Sequence, residues 1–336
     1  MRGTRAAGRA LATMRALAAV RALAAVRALA AVLALAVLAA PGLTGCAAAA
    51  PTATSGPGRV ATDGSGKVRV VASIDTWGSL LSQLGGDRVT ATSVISSPGV
   101  DPHSYEPTPA DAIAIAEARV LVVDGIGYDG WASAAAAANP SPTRRVLDVG
   151  TLAGIRPGGN PHQWYSRAVV HRVVDALTAD LQAVDPAGRA YYAQRRRELL
   201  TVGLRRYDAL EAEIRAAHRG TPVGGSESVV TPLADSLGLR VLTPPALLRA
   251  VSEGTDPAPG DVATVRHQLT GHLVRVYLDN VQNSTPDVEA QVAAARAAGI
   301  PVVTVTETLT PRGATFQDWQ VAQLEALRRA LAAGPP

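Results

Sequence analysis

Four side chains in this sequence are of a type, and at positions, that suit coordination chemistry: His103, His162, Glu227 and Glu307. His103 lies in Val100-Asp101-Pro102-His103-Ser104-Tyr105-Glu106-Pro107-Thr108-Pro109. Proline fixes its own φ and restricts the residue before it, so this loop is stiff and holds its histidine in place. His162 is also preceded by proline, in Gly159-Asn160-Pro161-His162-Gln163-Trp164, while Glu227 follows Gly225-Ser226 and Glu307 follows Thr304-Val305-Thr306. A neutral imidazole offers a nitrogen lone pair and an ionised carboxylate offers oxygen. Two of each make a ligand set for a divalent transition metal. Taken singly, each reads as a cap or a solvated side chain, and the long intervals between them do not show that they meet.

The elements that must position them alternate between strand and helix. Lys67–Ile74 is a β-branched run that reads as the first strand. A helix near Trp77–Leu84, a strand over Arg88–Ile95 and the stiff loop follow, then a helix over Ala110–Ala118 and a strand over Arg119–Val123. Helix Trp131–Ala138 and strand Arg145–Val149 complete a first half. The continuous apolar runs are those of strands buried on both faces, and the alternation is that of a parallel α/β sheet. Asp185-Pro186 then opens the longest helical pattern, with Leu199, Leu200, Leu204, Tyr207, Leu210 and Ile214 on one face and Gly203 as its one weak point.

A second half repeats the scheme, with strands at Pro222–Gly225, Arg240–Leu242, Leu273–Leu278 and Pro301–Val305. Its helices are Val229–Leu237, Asp261–Leu269, Pro286–Ala298 and Asp318–Ala332. The expected architecture is α/β with two lobes, each a parallel sheet flanked by helices, joined by one long linking helix. The boundaries are an N-terminal lobe over 67–184, the linking helix over 185–218 and a C-terminal lobe over 219–336. In such sheets ligands bind beyond the carboxyl ends of the strands, where all four candidates fall.

Composition narrows the function classes. The formal net charge of +4 comes from six arginines ahead of Cys46 (Arg2, Arg5, Arg9, Arg15, Arg21 and Arg27), and the remainder is slightly acidic. Nucleic-acid binding therefore lacks electrostatic support. Cys46, the single cysteine, excludes an internal disulfide. Basic residues, an apolar segment over roughly 28–43 and Leu43-Thr44-Gly45-Cys46 read in order as an export signal over 1–45 ending in a bacterial lipobox, with Cys46 the lipidated residue. The threefold Arg-Ala-Leu-Ala-Ala-Val repeat within it is low-complexity sequence. Residues 46–66, rich in Ala, Thr, Ser, Gly and Pro, form a flexible tether. The protein is thus expected outside the cytoplasm, lipid-anchored to the cell membrane of a bacterium.

Asp101-Pro102-His103-Ser104-Tyr105-Glu106-Pro107, Asn160-Pro161-His162-Gln163-Trp164 and Ser226-Glu227 resemble, in order, the signatures of the solute-binding lipoproteins of metal ABC transporters, which import zinc, manganese or iron. The similarity runs from about Val68 to Leu331. It implies two metal ligands from each lobe: His103 and His162 from the first, Glu227 and a carboxylate after the last strand from the second. Glu227 matches a position that is His in many zinc importers and Glu in many manganese importers. Glu307 is the best match for the fourth ligand across a small local gap, with Asp279, Asn280 and Asn283 as competitors. The His-rich loop common in zinc-specific members is absent, and the six histidines form no cluster.

The resemblance implies a monomeric, non-enzymatic binding protein that delivers Zn²⁺ or Mn²⁺, or with lower preference Fe²⁺, to a membrane permease. Two carboxylates favour the harder ions, whereas the Irving–Williams order favours zinc. Two other classes share the residue set. A zinc hydrolase would use Glu227 or Glu307 as general base, but the sequence has no His-Glu-x-x-His helix. A surface adhesion protein would use the same fold with structural metal or none.

Overall fold

The computed structural model describes residues 64–100 and 102–333. The export signal, Cys46, the tether up to residue 63 and Asp101 lie outside the described residues. The first sheet contains β1 (Val68–Ile74), β2 (Val89–Ile95), β3 (Val120–Val123) and β4 (Arg145–Asp148). The second contains β5 (Pro222–Gly225), β6 (Arg240–Val241), β7 (Tyr277–Asn280) and β8 (Val302–Val305). Both are wholly parallel, with the matching orders β2-β1-β3-β4 and β6-β5-β7-β8. All of β3 and nearly all of β1 is buried, because helices cover both sheet faces. The α/β fold of two parallel-sheet lobes follows from this alternation of buried runs and amphipathic helices.

The link between the lobes differs from one unbroken helix. It opens with a 3₁₀ turn over Pro186–Gly188, capped by Asp185, and becomes α-helical over Arg189–Glu198. It widens to a π turn over Leu199–Gly203 and returns to α-helix over Arg205–His218. The Leu204 N–H reaches the Leu199 carbonyl at 2.8 Å, the extra-residue bond of a π turn. Gly203 lies at this point, where helix propensity is lowest. Immediately before it runs an 18-residue helix, Arg167–Val184, which stands between the expected elements. Its buried stripe, Val169, Val170, Val173, Val174, Leu177 and Leu181, is rich in β-branched residues, and burial overrides their modest helix preference.

Further differences sit closer to the functional region. β7 begins at Tyr277 and continues through Asp279 and Asn280, so these polar residues lie within the strand and not in the turn after it. Short helices at Val149–Ala153 and Pro245–Ser252 also stand between the expected elements.

The lobes share more than the link. One apolar core runs from Val70, Trp77 and Leu84 through Val173 and Tyr207 to Val223, Phe316 and Leu327. The closing helix Phe316–Ala333 packs on Arg205–His218 and reaches the first helix, Asp75–Gly85. There Gln83 and Gln317 exchange amide hydrogen bonds of 3.0 and 2.8 Å, and Phe316 N–H donates to Ser79 Oγ at 2.9 Å. Asp75 accepts the Leu309 N–H from the opposite lobe at 3.2 Å. Opening the lobes would break this set together.

Candidate metal centre

His103 is held by more than its prolines. It sits in a 3₁₀ turn over Pro102–Ser104, and the chain is fixed again at Thr108, the N-cap of helix Pro109–Glu117. Thr108 and Asp111 form a reciprocal capping box, and the Tyr105 hydroxyl also donates to Asp111 at 2.8 Å. Burial pushes the Asp111 carboxyl upward, but the donors from Thr108 and Tyr105 outweigh it and hold the group below its usual range.

His162 is fully buried and its tautomer is set by Asn160. The Asn160 amide nitrogen donates to the Ser228 carbonyl at 2.6 Å, so its oxygen faces His162. That oxygen accepts the His162 backbone N–H at 3.0 Å and lies 2.9 Å from Nδ1. An amide oxygen only accepts, so Nδ1 carries a proton and Nε2 is the ring nitrogen that faces the cleft.

Glu227 and Glu307 come from the second sheet, after β5 and β8, and neither side chain has solvent exposure. His103 Nε2 is 3.3 Å from His162 Nε2 and 3.4 Å from Glu307 Oε2, while His162 Nε2 is 3.2 Å from Glu307 Oε2. Glu227 Oε1 lies 3.8 Å from His162 Nε2, and donor atoms of His103, His162 and Glu227 all fall within 4.8 Å of one another. Ligands bound tetrahedrally at about 2.0–2.1 Å stand about 3.3–3.4 Å apart, a spacing that His103, His162 and Glu307 match, while Glu227 stands farther off at 3.8 Å from His162 Nε2. The structure thus brings His103, His162 and Glu307 into mutual contact and sets Glu227 beside His162. Burial raises Glu307, but the His162 and His103 imidazoles more than offset this and hold its carboxyl far below the usual range.

The competitors for the fourth position do other things. Asn283 donates to the Val251 carbonyl at 2.9 Å. Asp279 is pushed up by burial, with Arg296 and a Ser226 hydrogen bond opposing. The Asn280 amide nitrogen donates to Glu307 Oε1 at 2.8 Å and to Glu227 Oε2 at 3.2 Å.

Several supporting residues escape sequence reasoning. The Tyr128 hydroxyl donates to Glu307 Oε2 at 2.8 Å, and burial followed by the Glu307 charge keeps that phenol protonated. Gln282 accepts the backbone N–H groups of Glu307 and Thr308 at 2.6 and 3.0 Å. Its amide nitrogen donates to Thr308 Oγ1 at 2.9 Å and to the Val100 carbonyl at 3.1 Å. One side chain therefore ties the Glu307 loop to the His103 loop. Beneath the centre, burial and then the Asp129 charge raise Asp124 well above its ordinary value, and Trp77 Nε1 donates to it at 2.9 Å. Only Asn160, Asp279, Asn280 and Asn283 carried a sequence signal, by standing beside a ligand motif or at a strand end.

A cleft of about 710 Å³, lined in part by His103, Tyr128, Asn160, Ser228 and Asn283, opens on this centre. His103 is its accessible member, with 19% side-chain exposure against 0% for His162 and both glutamates.

Residues 70–330 match the family described as ZnuA, zinc-uptake complex component A, periplasmic. The chain belongs to this family. It is 31% identical over 137 residues to the manganese-binding lipoprotein MntA of Halalkalibacterium halodurans, a stretch covering 39% of this chain and 44% of the relative. It is 26% identical over 139 residues to the iron-binding protein YfeA of Yersinia pestis, covering 38% and 42% respectively. The chain thus spans somewhat under half the length of these curated relatives. The fold extends further. The Mn-bound periplasmic metal binding protein from Candidatus Liberibacter asiaticus superposes with a TM-score of 0.64 at 23% identity, over 79% of this chain and 99% of that one. The solute-binding protein FpvC from Pseudomonas aeruginosa, in complex with Mn²⁺, gives 0.65 at 21% identity, over 79% and 98%. The family expected from the three ordered motifs is the family found.

Proposed function

We propose that this protein captures a divalent transition metal ion, zinc or manganese, outside the cytoplasm and delivers it to the membrane permease of an ABC importer, with His103, His162, Glu227 and Glu307 as its ligands. The observation that carries this reading is the convergence of two imidazole nitrogens and a carboxylate oxygen at mutual distances of 3.2–3.4 Å, with a second carboxylate beside them. Relatives named for manganese and iron binding support the metal class and keep Fe²⁺ as a third cargo. In this reading the ion enters past His103, and the ionised glutamates neutralise its charge in a buried site. Release follows displacement of a ligand loop on docking, because the lobes are tied across Asp75–Leu309, Gln282–Val100 and Gln83–Gln317.

The same geometry favours transport over hydrolysis. A general base needs a carboxylate free to take a proton from bound water. Here Glu307 is held by Asn280 and Tyr128, and Glu227 by Asn280, Ser228 and the Val229 N–H. No observation favours a metal-free adhesion role. The proposed chain organisation is a signal over 1–45, lipidated Cys46, a tether to 66, lobes over 67–184 and 219–336, and a link over 185–218. The mature protein is proposed to be a monomer anchored to the bacterial membrane. Elemental analysis of protein purified without added metal tests the reading. One equivalent of zinc or manganese per chain is expected, and metal-free protein that takes up none on titration would overturn it.

A further inference from the structure

The two carboxylates are not presented symmetrically to the centre. Glu307 turns Oε2 toward both imidazoles, and Glu227 turns Oε1 toward His162. Their other oxygens, Glu307 Oε1 and Glu227 Oε2, both receive hydrogen bonds from the single amide nitrogen of Asn280, at 2.8 and 3.2 Å. Glu227 Oε2 accepts the Val229 N–H as well, at 3.0 Å. The orientation of the Asn280 amide is fixed from both ends. Its oxygen accepts the Gln282 N–H at 3.2 Å, so its nitrogen faces the carboxylates. Asn280 itself is fully buried at the end of β7, with its backbone N–H held by Ser226 Oγ at 2.9 Å. It is therefore a rigid bridge and not a mobile surface group.

From this geometry we infer that Asn280 determines metal specificity, by holding both glutamates in one-oxygen coordination and so imposing a four-coordinate, zinc-type site. The inference rests on the ligand set proposed above. Each carboxylate could in principle supply two oxygens, which with two imidazoles would make six donors. Six-coordinate sites rich in oxygen suit Mn²⁺, whereas four donors in a tetrahedron suit Zn²⁺. Engaging the outer oxygen of each carboxylate with a shared N–H donor fixes both carboxyl planes and opposes the rotation that two-oxygen binding requires. The separations among His103, His162 and Glu307, 3.2, 3.3 and 3.4 Å, match the tetrahedral spacing, and Glu227 Oε1 stands 3.8 Å from His162 Nε2. Asn280 touches the ligands and not the ion, so it acts as a positioning residue through both glutamates at once.

The test compares the parent protein with Asn280→Ala, which removes the bridge, and Asn280→Asp, which keeps the shape and loses the donor. Zn²⁺ and Mn²⁺ affinities are measured separately by competition with chelators, and Co²⁺ is added as a spectroscopic probe of coordination number. Partners that orient metal ligands change affinity by roughly 10–100-fold when removed. The expected result is a zinc affinity lowered by about that factor with manganese affinity kept or raised, so the zinc-to-manganese ratio narrows at least tenfold. The intense visible bands of four-coordinate Co²⁺ should give way to the weak bands of higher coordination. A variant in which both affinities fall equally and the Co²⁺ spectrum is unchanged would overturn the inference while leaving the metal-binding reading intact. Failure of the parent protein to bind any of the three ions would overturn that reading, and this inference with it. If Asn280→Ala does not fold, the isosteric Asn280→Asp variant decides on the same two readouts.

Discussion

Replacing Gln282 by alanine should accelerate metal release without unfolding the protein. The side chain makes four hydrogen bonds: to the N–H groups of Glu307 and Thr308, to Thr308 Oγ1 and to the Val100 carbonyl. Each such bond contributes on the order of 0.5–1.5 kcal/mol. Gln282 is half-buried, so water re-satisfies part of what is lost, leaving a net cost of about 2 kcal/mol, or roughly thirtyfold in an equilibrium constant. This cost falls on the metal site because the bonds join the loop carrying Glu307 to the loop carrying His103. Mixing the metal-loaded protein with excess chelator in a stopped-flow instrument measures the dissociation rate. A rate roughly 10–30 times faster than the parent is expected, with an unchanged circular dichroism spectrum. A rate within about twofold of the parent would refute the claim that this contact holds the site closed.

Other parts of the structure give independent tests. Glu211, buried on the linking helix, is raised to about 7 by burial, against a hydrogen bond from Ser236. Its folded-state value lies above the unfolded one, so its stabilising effect is complete below about pH 4.5 and disappears as pH rises through about 7. Glu211→Gln should then match the parent near pH 4 and exceed it by roughly 2–3 kcal/mol in urea unfolding at pH 8. Equal destabilisation at both pH values would contradict the assignment. Trp164 is buried with its ring centroid 5.3 Å from that of His162, so metal binding should change tryptophan emission in the parent and leave it nearly unchanged in Trp164→Phe.

Much of the scaffold was legible because its signals are local. The β-branched run at Val68–Ile74 and the apolar Val120–Val123 have no other stable use than buried parallel strands. Pro109, Pro259 and Pro286 each stand at a helix start, where proline is tolerated. The helix Arg167–Val184 escaped because its buried stripe is built largely from valine, a weak helix former made helical by its neighbours. The extent of β7 escaped because Asp279 and Asn280 are turn-type residues whose partners inside the sheet, Arg296 and Ser226 for the first and Ser226, Glu227 and Glu307 for the second, are distant in sequence.

The site divides along the same line. His103 and His162 were marked by proline-preceded motifs, and Glu227 and Glu307 by their places after strands. What orients them is long-range. Tyr128 reaches Glu307 from the other lobe, and Asn280 touches two carboxylates far from it in sequence. Nothing in local composition distinguishes such an asparagine from a turn residue. Its role depends on where the chain brings Glu227 and Glu307, which spacing does not encode.

Four side chains from two lobes are proposed to hold one ion, and His103 is the member whose removal disturbs the core least, being partly exposed on a loop. Zinc affinity of His103→Ala, measured by equilibrium competition against a chromophoric chelator, tests it most directly. The parent should bind one equivalent and the variant should show an affinity lowered by roughly 100-fold or more, with the thermal unfolding midpoint of the metal-free protein nearly unchanged. A variant that binds zinc as tightly as the parent would contradict it.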